Sequence, residues 1–91
     1  MLTNIVNDIL NDYDLENLLD GSPEYTDYEY APEVKLISNF IENNKSKLNE
    51  DILTDNIQFA FINYFHKLHD ISICNDIAVD ILKQMEFHKL I

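Results

Sequence analysis

The sequence predicts an all-α fold, a compact bundle of four helices with an acidic, tyrosine-rich loop between the first and the second. Three observations carry this. Apolar residues recur every three or four positions in four separate stretches, the spacing that lines one face of a helix. One glycine and two prolines in 91 residues leave few sharp turns for a hairpin-built sheet. Short polar stretches separate the periodic segments, the arrangement expected for helices packed against their neighbours. The chain is one domain long, 1–91, and 46% apolar, enough to build a core. A domain this small leaves a third or more of its chain surface in water, so its stability is modest.

The first helix is expected over about Asn4 to Asp12, capped by the Thr3 hydroxyl. Leu2, Ile5, Val6, Ile9 and Tyr13 share its inner face, and Asn4, Asn7 and Asn11 lie opposite. A short helical turn at Leu15–Leu19 is expected to end at Asp20-Gly21, where glycine takes the left-handed conformation of a helix end. Gly21–Ala31 then forms the loop. The second helix opens with Pro32 in its first position, where no N–H is needed, and Glu33 faces the positive end of the dipole. Its core face is Val34, Leu36, Ile37, Phe40 and Ile41, and residues 43–47 turn the chain.

The third helix has the clearest start: Asn49 caps it, and Glu50 and Asp51 occupy the first turn. Leu48 before the cap can staple onto Leu53. It is expected to reach His66–Leu68 with an inner stripe of Leu53, Ile57, Ala60, Phe61, Tyr64 and Leu68. A second apolar set, Ile52, Phe59 and Ile62, lies on another side, for which a central position or a binding partner is the physical reason. The fourth helix is expected over Ile73 to His88, capped by Asp70 or Ser72, with Ile73, Ile77, Ala78, Ile81, Leu82 and Met85 inward.

The balance of 17 acids, six lysines and no arginine gives a net charge of −11. Such a surface repels nucleic acid and anionic membranes and attracts cationic partners. The charge is segregated. Residues 1–34 hold nine acids and no lysine, a balance of −9, and residues 35–91 hold eight acids and six lysines, a balance of −2. Concentrated like charge opposes folding by self-repulsion, so a basic partner surface is the expected compensation. Tyr25, Tyr28 and Tyr30 alternate with Glu24, Asp27 and Glu29 in this region. A tyrosine ring with a neighbouring carboxylate suits arginine and lysine, through ring stacking and ion pairing together. The expected partner-binding residues are therefore Asp12, Asp14, Glu16, Asp20, Glu24, Tyr25, Asp27, Tyr28, Glu29, Tyr30 and Glu33. The competing reading folds some of these rings onto the core and leaves the acids solvated.

Catalytic and metal chemistry find little support. Cys74 is the only cysteine, so no internal disulfide or cysteine-rich zinc site can form, and it falls on the apolar face of the fourth helix as a core residue. His66 and His69 stand three apart, but histidines at a helix end also complement the negative pole of the dipole. No carboxylate pair, phosphate loop or nucleophile–base set is distinguished. No catalytic residue, metal ligand or cofactor is expected, and the chain is read as a non-enzyme. Met1–Leu10 lacks a basic, then apolar, leader pattern, and no apolar run is long enough to span a membrane, so a cytoplasmic location is expected.

Two resemblances add to this. Asn11-Asp12-Tyr13-Asp14, Leu18-Leu19 and Glu29-Tyr30-Ala31-Pro32-Glu33-Val34 resemble the YugE-like family of small bacterial helical proteins over about the first 65 residues. In that family an aromatic-Asp pair ends the first helix and a Glu-Tyr-x-x-Glu segment opens the second; here the acidic loop is longer and a tyrosine stands where tryptophan is expected. The resemblance implies a helical fold. By type, size and acidity the chain is similar to the immunity proteins that neutralise nuclease toxins, which implies a cognate basic toxin as partner, covered at its active-site or substrate cleft. The alternatives are a phage-encoded nucleic-acid mimic that inhibits a host defence nuclease, such as an anti-CRISPR, and a structural protein dimerising through Phe59 and Ile62.

Overall fold

A computed structural model describes residues 1–15 and 30–90. Within them the chain forms α1 (Leu2–Tyr13), α2 (Ala31–Asn43), α3 (Glu50–Phe65) and α4 (Ile71–Phe87), with a 3-10 turn at Lys45–Lys47 and no strand among the described residues. The all-α bundle follows the sequence periodicity. The helices pack in a closed ring, α1 on α2, α2 on α3, α3 on α4 and α4 back on α1.

The core is aliphatic. Val6, Leu10, Ile37, Ile41, Leu53, Ile57, Ile77, Ile81 and Met85 are buried at its centre, and Cys74 joins them as the sequence suggested. Burial raises the Cys74 thiol above its ordinary range, and the Asp70 carboxylate adds to the effect, which keeps the sulfur as the thiol. One end of the core is aromatic. Tyr30 lies with its ring centroid 6.0 Å from Phe61 and 6.1 Å from Phe65, Phe61 and Phe65 stack at 5.8 Å, and His69 meets Phe61 edge-on at 5.1 Å. Tilted and offset ring contacts of this kind add to simple area burial.

Several local expectations shift. Helix α1 starts at Leu2 after Met1 with no side-chain cap, so Thr3 lies inside the first turn and does not cap it. Leu2 is buried, and seating it extends the helix toward the amino end. Pro32 is the second residue of α2, behind Ala31. The buried face of α2 is Glu33, Val34, Ile37, Ser38 and Ile41, and Phe40 turns to the flank. Helix α3 begins as expected, with the Asn49 side chain accepting from the Ile52 N–H at 2.9 Å. It ends earlier, because His66 takes a left-handed conformation (φ 57°) that stops the helix. Leu68 therefore leaves the helical stripe, and both it and Tyr64 are exposed. Helix α4 begins two residues early, at Ile71. Its cap is Asp70, whose carboxylate accepts from the Ser72 N–H at 2.7 Å and the Ser72 hydroxyl at 2.6 Å. These bonds hold the Asp70 carboxyl below its ordinary range. Ile73, expected inside, sits at the edge of the buried arc and is partly exposed.

The α3–α4 connection folds back along α3. The Gln58 side-chain amide donates to the His69 carbonyl at 2.9 Å. Asn75, in the second turn of α4, donates to Glu50 Oε1 at 2.9 Å and Thr54 Oγ1 at 3.2 Å. The first turns of α4 therefore lie beside the first turns of α3, and together they frame the groove described below.

Candidate protein-binding surface

The expected binding residues fall into four groups, the last of them Asp14, which is half-buried. Glu16, Asp20, Glu24, Tyr25, Asp27, Tyr28 and Glu29 lie outside the described residues. Asp12 is exposed on α1, as a contact residue needs to be. Tyr30 and Glu33 are corrections: they are 0% and 1% exposed, and neither can meet a partner directly.

The reason is the aromatic end of the core. Helix α1 stops at Asp14, which takes a left-handed conformation (φ 44°) and sends its backbone N–H to the Leu10 carbonyl at 2.9 Å. This turns the Asp14 side chain, half-buried, toward the start of α2, where its Oδ1 accepts from the Tyr30 hydroxyl at 2.5 Å. A buried tyrosine needs a partner for its hydroxyl, and a carboxylate is a strong one. Asp14 and Tyr30, both read as contact residues, thus form an internal tie between the end of α1 and the start of α2.

A second tyrosine–carboxylate pair joins α1 to α4. The Tyr13 hydroxyl donates to Asp80 Oδ2 at 2.6 Å. That hydrogen bond, then burial, then the charges of Asp80 and Asp76, push the phenol up from 10.0 to about 12. A proton held more tightly in the folded chain stabilises the fold below the unfolded pKa, and that contribution disappears as pH rises through the folded value. Ultraviolet titration should therefore show a tyrosine ionising near pH 12 that Tyr13→Phe removes, and Asp80→Asn should bring that same signal back toward 10.0. Persistence near pH 12 of the signal that Tyr13→Phe removes, in Asp80→Asn, would refute this pairing.

The outer side of α3 exposes three large apolar residues. Phe59 is 54%, Ile62 40% and Ile52 37% exposed. All three lie opposite the buried stripe of Leu53, Ile57, Ala60 and Phe61. Beside this face, Asp51, Thr54 and Asp55 of α3 and Ile71, Ser72 and Asn75 of α4 line an open groove of about 520 Å³. Helix α3 carries three acids and no lysine, so face and groove are negative as well as apolar. The sequence showed the second stripe but not its exposure, which depends on α4 packing to one side. A smaller groove of about 300 Å³ runs between α1 and α2, over Asn4, Asn7, Val34, Lys35, Ser38 and Asn39. No sequence signal pointed to it, because its walls come from helices far apart in the chain.

Lys45 Nζ pairs with Glu42 at 3.5 Å, on the exposed end of α2. No group of three or more metal-ligating side chains comes together among the described residues. No helix among them is long and apolar enough to cross a membrane. Comparison with family models, with curated proteins and with solved structures finds no match to this chain.

Proposed function

We propose that this protein works by binding another protein, as an immunity-type inhibitor that covers the basic cleft of a nuclease-type toxin. The observation that carries the reading is the segregated charge: nine acids and no lysine in residues 1–34. Two of these acids, Asp8 and Asp12, are exposed on α1. Carboxylates facing a cleft built for phosphates would meet the lysines and arginines that line it, and complementary potential speeds encounter. Tyr25 and Tyr28, set between these acids, supply apolar anchoring area that charge alone lacks.

The test is affinity capture from the source cell with the full chain as bait. A variant carrying Glu24→Gln, Asp27→Asn, Glu29→Gln, Tyr25→Ala and Tyr28→Ala should lose a basic protein that the parent retains. A Glu86→Gln variant, altered at an exposed acid on α4, should keep it. Retention of the same protein by the loop variant would overturn the proposal.

A further inference from the structure

We infer that the outer face of α3 is a docking strip for a cationic helix with an apolar face, presented by the partner protein. The inference deepens the proposed function and takes from it that the partner is basic.

Ile52, Phe59 and Ile62 expose large apolar area on one side of one helix. From Ile52 to Ile62 the strip runs about 15 Å along the axis, enough for a partner helix whose anchors at i, i+3 or i+4, and i+7 span about 10.5 Å. An isolated exposed leucine or isoleucine needs no explanation, but three large apolar residues exposed on one face of one helix do.

Charge decides the occupant. Asp51 and Asp55 stand one turn apart and line the groove at the edge of the strip. Like charges at that spacing repel, and no described lysine pairs with either of them. Ile71 supplies apolar wall in the same groove. A lysine or arginine laid there places its stem on Ile71 and its charge between two carboxylates, the amphipathic fit these side chains favour. A second copy of this chain fits poorly, because pairing would bring together two molecules of net charge −11. An anionic surface is opposed by the same field.

The probe is a short synthetic amphipathic helix of leucine and lysine, titrated against the full chain. A leucine–glutamate helix of the same pattern is the control. The leucine–lysine helix should bind, and Phe59→Ser and Ile62→Ser should each weaken it by at least roughly tenfold, as truncation of a central anchor does. Asp51→Asn with Asp55→Asn should weaken it too and reduce its salt dependence. Both apolar positions are exposed, so the serine variants should keep the parental urea midpoint, which separates lost binding from lost folding.

Parental affinity in Phe59→Ser, equal binding of the leucine–glutamate helix, or a parental dimer that Phe59→Ser dissociates would each overturn the inference. The Glu24–Glu29 loop variant should leave the dependence on Phe59 in place. Failure of capture through the loop therefore counts against the proposed function alone, and an inert Phe59 counts against the docking strip alone.

Discussion

Tyr30→Ala should destabilise the fold by about 3–5 kcal/mol, the usual cost of deleting a buried aromatic side chain. The ring is fully enclosed and touches both Phe61 and Phe65, so its removal leaves a cavity at the aromatic end of the core. It also strips Asp14 of the hydroxyl that donates to it. Domains of this size have only about 5–15 kcal/mol of stability in all, so the variant should unfold at a much lower urea concentration. Tyr30→Phe separates the two contributions. It keeps the ring stack and removes only the hydroxyl, at about 1.5–3 kcal/mol for a hydrogen bond to a charged group. Urea titration followed by far-ultraviolet circular dichroism reads both. Equal midpoints for Tyr30→Ala and the parent would remove Tyr30 from the core.

The rate at which the chain meets its partner should fall steeply with salt. If a surface of net charge −11 is guided to a basic cleft, association at low salt should approach ~10⁸ M⁻¹s⁻¹. At about 1 M salt the Debye length shrinks to roughly 3 Å. Steering then vanishes, leaving the ~10⁵–10⁶ M⁻¹s⁻¹ typical of unsteered docking. The expected loss is about a hundredfold or more, mostly in the association rate. Dissociation should change less, since salt screens long-range attraction more than short-range contacts. Stopped-flow mixing with the captured partner measures both rates. An association rate that is flat from low to high salt would sink electrostatic steering and, with it, the argument from charge.

Much of the fold was legible because each helix carries its own signal. The Asn49 cap, the inward residues Leu53, Ile57 and Ala60, and the burial of Cys74 depend on spacing within single helices. The misses depend on partners distant in sequence. Thr3 has good capping chemistry, but burial of Leu2 sets where α1 begins. Tyr30 and Glu33 stand among exposed-looking polar neighbours, yet the α3 rings Phe61 and Phe65 draw that segment inward. Nothing within ten residues of Tyr13 indicates that it will bond Asp80, because the two are 67 positions apart. Of the candidate surface, the sequence showed the apolar set on α3; the groove beside it appears only once α4 is laid against α3.

The Asp14–Tyr30 hydrogen bond has a mechanical meaning. It joins Asp14, which ends α1, to Tyr30, which precedes α2. Because the Tyr30 ring also meets Phe61 and Phe65, a pull on either residue is passed to the aromatic rings of α3.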